Sequence, residues 1–219
     1  MKVYDSITTE FQDWIQQQHV FFVATAPTRK GHVNLSPKGY NGFRILDENT
    51  VCYMDMLGSG NETSAHILEN GRLTVMFCAF EGAPRTLRLY GRGEVLLPDD
   101  AKYQSLLATH YDGKELPGTR QIILTHVRRI QISCGKSVPY MDFKEDRTTL
   151  ADLWSNLDKD KCHQYQRENN TTSIDGLPTP TGFKDKGVAF LWRHSQWRNY
   201  LVVVVMALVA VGVAGVLDT

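Results

Sequence analysis

Apolar and polar residues alternate in short runs along most of this chain, and Gly, Pro or Asn breaks each run before it grows long. Thr9 to Gln18 has helical character, with Thr8 or Thr9 as its cap. His19 to Ala26, rich in β-branched and aromatic residues, predicts a strand that stops at Pro27. Gly31 marks a turn, and His32 to Leu35 resumes the sheet as a hairpin. Val51 to Met54 predicts another strand, closed by Gly58-Ser59-Gly60. Asn61 to Asn70 carries Ala65 and Leu68 at helical spacing and stops at Gly71.

Arg72 to Phe80 is apolar on both faces, so it must be covered twice, by its own core and by a helix or a second subunit. In Arg85 to Leu96, residues Leu87, Leu89 and Val95 share a face with Gly91 and Gly93, while Arg88, Tyr90, Arg92 and Glu94 share the other. Glycines inside a strand mark a tight bend at a barrel corner. Asp99 to His110 reads as a helix, and Gln121 to Ser133 as a long strand with Ile122, Leu124, Ile130 and Ile132 in phase. At least five strands, few helices and no βαβ rhythm predict a mainly β fold, an antiparallel β-barrel with flanking helices. Asp146 to Tyr165 has a helical period, Arg167 to Lys186 reads as a loop or linker, and there are no internal repeats.

The tail changes the picture. Leu201 to Leu217 is seventeen residues without a charge, against the about 17–25 needed to span a bilayer. At ~1.5 Å per residue it reaches roughly 26 Å, which suits a thin membrane. Trp197 and Tyr200 sit as interfacial aromatics, and Arg193 and Arg198 favour a cytosolic flank. The predicted organisation is a barrel domain over 1–165, a linker and juxtamembrane segment over 166–199, and a transmembrane tail anchor over 200–217 with the domain facing the cytosol.

Composition narrows the function. Lys+Arg and Asp+Glu balance at 24 each, so nucleic acid, which requires a basic stripe, is not an expected partner. Cys52, Cys78, Cys134 and Cys162 are widely spaced and predict structural thiols, not a metal site. The N-terminus lacks the basic start and apolar run of a secretory signal, so the Asn-x-Thr matches at Asn61, Asn169 and Asn170 read as chance. The scattered histidines have no metal spacing.

Three polar stretches inside strand-like sequence carry candidate chemistry. In the first, Ser36 and Lys38 lie on one side of an extended chain, and Gly39 allows close backbone approach. In the second, Asn61 is placed to cap a helix whose first amides, up to Ser64, suit an anion. In the third, Arg88 is held between Leu87 and Leu89, where an Arg usually meets an anionic partner. Hydroxyls, a helix start, cations and glycines are the parts of a phosphate site. An ordinary capped helix, a solvated hairpin end and a surface stripe are the alternative readings.

His32-Val-Asn-Leu-Ser-Pro-Lys-Gly39, Gly58-Ser-Gly-Asn-Glu-Thr-Ser64 and Thr86-Leu-Arg-Leu-Tyr-Gly-Arg-Gly93 together closely resemble the pyridoxamine 5'-phosphate oxidase-like, FMN-binding split-barrel family. Ser133 to Pro139 and Ser173 to Pro178 look like a branch of it. The resemblance implies a split barrel of six strands that dimerises, with FMN at the subunit interface. It places Ser36, Lys38, Gly39, Asn61, Ser64, Arg88 and Gly91 around FMN, with Ser64 holding the phosphate, Lys38 or Arg88 neutralising it, and Gly39 and Gly91 leaving room for the ring. It implies an oxidoreductase acting on a small substrate. Members that oxidise pyridoxamine phosphate carry a C-terminal Arg-x-His element. The nearest echo here, Trp192-Arg193-His194, departs from it, so vitamin B6 oxidation is not expected. A non-catalytic flavin-binding or flavin-sequestering module on a membrane anchor is the alternative, and haem or deazaflavin are the other ligands this barrel type would accept.

Overall fold

The computed structural model of the chain describes residues 2–185. Its elements run β1 (Lys2–Tyr4), α1 (Thr9–Gln16), β2 (Phe21–Thr25), β3 (Asn34–Lys38), β4 (Phe43–Asp47), β5 (Thr50–Met56), α2 (Glu62–Asn70), β6 (Arg72–Cys78), β7 (Thr86–Leu96), α3 (Ala101–His110), β8 (Thr119–Ser133), α4 (Thr149–Ser155), α5 (Lys159–Asn169) and α6 (Pro180–Asp185). The strands form one antiparallel sheet of eight, in the order β3-β2-β6-β7-β8-β5-β4, with β1 paired to the far end of β8. The end strands β3 and β4 share no ladder with each other, an arrangement consistent with a split barrel.

Two apolar clusters lie on opposite faces. Phe21, Val23, Val75, Phe77, Leu87, Leu89, Ile123 and Ile130 form the interior, closed by Phe11 and Ile15 of α1 and Ile67 of α2. Cys52, Met54, Leu96, Ile122 and Leu124 pack outward against Tyr103 and Leu106 of α3. The expected phase of β8 is therefore corrected. Ile122 and Leu124 face α3, but Ile130 faces the interior, because Arg128 is an extra residue in the ladder: Tyr90 pairs with Arg129 and Gly91 with Val127. A bulge shifts a period of two by one residue and exchanges the faces beyond it. Gly91 lies at this bulge, and a Cβ there would collide with the carbonyl oxygen of His126.

The C-terminal half departs from expectation twice. The helix expected over 146–165 is two helices, because Asp158 accepts from Lys161 N at 2.8 Å and starts α5 anew. Trp154 of α4 is buried, and its indole donates to Leu57 O at 3.1 Å. Much of the described part of the expected linker is packed on the barrel. Asn170 and Thr179 are fully buried, Ser173 nearly so, and Asp175 accepts from both the backbone N–H and Nδ1 of His32 at 2.7 Å. Polar composition reads as a loop, yet these groups are buried because each has a partner.

Among the described residues, no helix is long and apolar enough to cross a membrane. The tail anchor expected over 200–217 lies outside the described residues.

Candidate functional site

β3 alternates half-buried Asn34, Ser36 and Lys38 with exposed Leu35 and Pro37. In register, Lys38 pairs with Phe21, Phe21 with Phe77 and Phe77 with Leu87, so the polar residues of β3 share the face of the interior core. They lie at a free sheet edge, where the next polar groups come from α2 and β5. Asn34 Nδ2 donates to Thr25 Oγ1 and Thr63 Oγ1, each at 3.0 Å. Lys38 Nζ stands 2.8 Å from Asp55 Oδ1 on β5, bridging the seam.

Asp55 is the centre of this cluster. Its side chain is 1% exposed, and Oδ2 accepts from Arg120 Nε at 2.9 Å and Gln121 Nε2 at 2.7 Å. Consecutive strand residues ordinarily point to opposite faces. Here Asp55 pairs with Gln121 and Met56 with Thr119, leaving Arg120 as an extra residue. That bulge aims Arg120 and Gln121 at one carboxylate. Burial pushes the Asp55 pKa up, but Arg120 and Lys38 outweigh it and hold the carboxyl well below the usual range. Arg120 also donates to Gly60 O at 2.9 Å and Asn170 Oδ1 at 2.8 Å. Gln121 Nε2 lies 2.6 Å from Ser64 Oγ and 3.0 Å from Asn61 Oδ1.

The seven sequence-predicted residues divide. The structure brings Lys38, Asn61 and Ser64 into one hydrogen-bonded network and puts Ser36 beside Lys38 on the same strand face. Asn61 precedes α2 as expected, but its side chain makes no cap bond. The carboxylate of Glu62 folds back against Gly60 and accepts from Ile174 N at 3.3 Å, so the start of α2 already faces an anion. Gly39 follows β3 and lines a hollow of about 290 Å3 with Tyr40, Arg147 and Leu150. Arg88 is not brought to Lys38. It follows Leu87 on β7, so it projects from the opposite face, where Nη1 donates to Ser133 Oγ at 3.1 Å. Gly91 lies against β8, where packing accounts for its missing side chain.

Sequence reasoning missed Asp55, Arg120, Gln121 and Asn170. Asp55 had a signal: it is the one charge in the apolar run Val51 to Leu57, and a buried carboxylate needs partners. Arg120 and Gln121 had none, because only the bulge turns both inward.

The donor set favours an anion. Lys38 and Arg120 face one carboxylate, which leaves one positive charge, and among the described residues Asn61 Nδ2 is a buried donor without a partner. A phosphate fits that chemistry. The one hydroxyl–imidazole pair described beside the cluster, Thr25 Oγ1 and His66 Nδ1 at 2.9 Å, is buried away from solvent, and the buried Cys52 thiol near α3 is pushed up to about 11 by burial, which keeps it protonated.

The family model described as pyridoxamine 5'-phosphate oxidase matches residues 7–134. The pyridoxamine 5'-phosphate oxidase family protein ustO of Aspergillus flavus is 36% identical over 214 residues, covering 90% of this chain and 86% of that protein. Among solved structures, HupZ of Group A Streptococcus is 25% identical with a TM-score of 0.47, covering 62% of this chain and 99% of that one. An FMN-binding protein from Syntrophomonas wolfei is 15% identical with a TM-score of 0.38, covering 54% of this chain and 78% of that one. The family model matches more than half of this chain and the Aspergillus flavus relative aligns over 90% of it, so the chain belongs to the pyridoxamine 5'-phosphate oxidase family.

Proposed function

We propose that this protein is a flavin-dependent oxidoreductase that binds FMN at the seam between β3 and α2, works as a homodimer on a small substrate, and is held at a membrane by its C-terminal tail. The observation that carries this reading is the convergence of Lys38 and Ser64 on one buried network with a residual positive charge. Lys38 and Ser36 would take the phosphate, with Asn61 and Ser64 beside them. Bound FMN supplies the hydride chemistry, and the protein's residues bind, orient and shield it. The face of β2 and β6 away from the core carries half-buried Phe22, Ala24, Thr74 and Met76, beside Leu35 at 63% exposure. Such an apolar face supports a subunit contact.

The purified full chain is expected to be yellow, with the two visible bands of a flavin, and to sediment as a dimer. Lys38→Gln with Ser64→Ala is expected to lose the FMN while keeping the far-ultraviolet circular dichroism of the folded protein. Undiminished flavin retention in that variant removes the site assignment, and a colourless protein that ignores added FMN removes the cofactor. The departure at Trp192-Arg193-His194 favours a second reading, a flavin-binding module without turnover. Reduction of the bound flavin by NADH or NADPH followed by reoxidation by an acceptor decides for the enzyme.

A further inference from the structure

The cation on which the flavin site depends is already engaged. Lys38 Nζ stands 2.8 Å from Asp55 Oδ1, across the seam between an end strand and β5. Asp55 is fixed on its other oxygen by Arg120 and Gln121, and Arg120 is fixed in turn by Gly60 and Asn170. The carboxylate and the guanidinium are 1% and 5% exposed, whereas Lys38 is 22% exposed on a flexible four-carbon stem. Lys38 is therefore the member of the trio that can move. To an ammonium, a carboxylate and a phosphate are the same kind of charged acceptor, so they compete for it.

Resting on the flavin reading above, we infer that Asp55 is a built-in competitor for the ligand's phosphate and the positioning residue of the site: it holds Lys38 across the seam, and a phosphate monoester binds by drawing Lys38 from Asp55 to itself. Asp55 touches no ligand in this scheme and acts through Lys38. The exchange strands no buried charge, because Arg120 and Gln121 keep both bonds to Oδ2 after Lys38 leaves. It also makes the barrel's own seam contact part of the binding equilibrium: displacing Asp55 lowers the net gain of a phosphate-bearing flavin, a cost that a flavin without the phosphate does not meet.

The test compares FMN with riboflavin, the same ring system without the phosphate. Dissociation constants are measured by flavin fluorescence quenching for the full chain, for Lys38→Gln, and for the double variant Asp55→Asn/Arg120→Gln. The double variant neutralises both members of the buried pair together, so it strands no charge and leaves the cluster's net charge as it was. Freeing Lys38 from a charged hydrogen bond is expected to raise the preference for FMN over riboflavin by about ten- to a hundredfold. Lys38→Gln is expected to abolish that preference, and to cancel the gain when added to the double variant. An unchanged or reduced preference in the folded double variant overturns the inference, as does a gain that survives Lys38→Gln. A second measurement needs no variant fold: in the wild-type chain, FMN but not riboflavin must shift the 15N resonance of Lys38 Nζ, and an unmoved signal on FMN binding overturns the exchange. If the wild type binds neither flavin, the flavin reading falls and takes this inference with it; if it binds FMN without these effects, only the inference falls.

Discussion

Replacing Asp55 by Asn alone keeps the shape of the side chain and removes its charge. Two cations then face the seam, and Arg120, 5% exposed, loses its counter-ion where burial limits access of solvent. Breaking a buried pair from one side costs about 3–5 kcal/mol. Gly60 O and Asn170 Oδ1 still accept from Arg120, which places the expectation at the lower end, about 3 kcal/mol. For a domain of this size that corresponds to a fall in Tm of about 6–12 °C. Urea unfolding followed by tryptophan fluorescence should show a lower midpoint at an unchanged slope, since the surface exposed on unfolding is the same. Removing Arg120 as well should restore much of the loss, because no uncompensated buried charge then remains. A single variant within about 1 kcal/mol of wild type would refute the reasoning, since losses of that size belong to exposed pairs.

Two further expectations follow from the same structure. The Asp55 carboxyl is held well below its ordinary value, so the unfolded chain binds its proton first and stability falls as pH drops below the unfolded value, about 4. Wild-type midpoints measured between about pH 5 and 2 should decline more steeply than those of the Asp55→Asn variant, and parallel curves would contradict the pairing. Gly91→Ala puts a Cβ into the carbonyl oxygen of His126, a backbone atom that cannot step aside. It should destabilise by about 1–3 kcal/mol or more without altering the FMN-to-riboflavin preference, whereas a lost preference with intact stability would return Gly91 to the flavin.

What the sequence made legible was local. Strands β5 to β8 and the helices α1, α2 and α3 announce themselves by alternation, spacing and glycine stops, and Lys38, Asn61 and Ser64 by their setting in polar breaks. The long-range facts were not legible. Nothing in Thr119 to Ser133 marks Arg120 and Arg128 as extra residues, because a bulge is a mismatch between two strands and belongs to neither alone. Reading β8 as one uninterrupted period therefore joined Ile122 and Ile130 on a face they do not share. Arg88 shows the same limit: its flanking leucines locate it in a strand, but which sheet face it occupies relative to Lys38 is fixed only once Leu87 is paired to Phe77. The segment after Asn169 failed differently. Asn170, Ser173 and Thr179 are buried through hydrogen bonds, and burial of that kind leaves no hydrophobic pattern to read.

The seam is a poor place to gain stability. Three ionised groups stand where the neighbouring positions are Tyr53, Phe21 and Phe43, and apolar side chains of similar volume would close such a gap at least as well. The chain nevertheless spends a β-bulge on turning Arg120 inward beside Gln121, and anchors Arg120 again through Asn170 from the far end of the domain. Exposure differs within the trio, 1% for Asp55, 5% for Arg120 and 22% for Lys38, so Lys38 is the member that meets solvent. The exchange inferred above asks for a carboxylate fixed from behind and an ammonium facing solvent: Arg120 on β8 holds Asp55 on β5, and Asp55 meets Lys38 on β3.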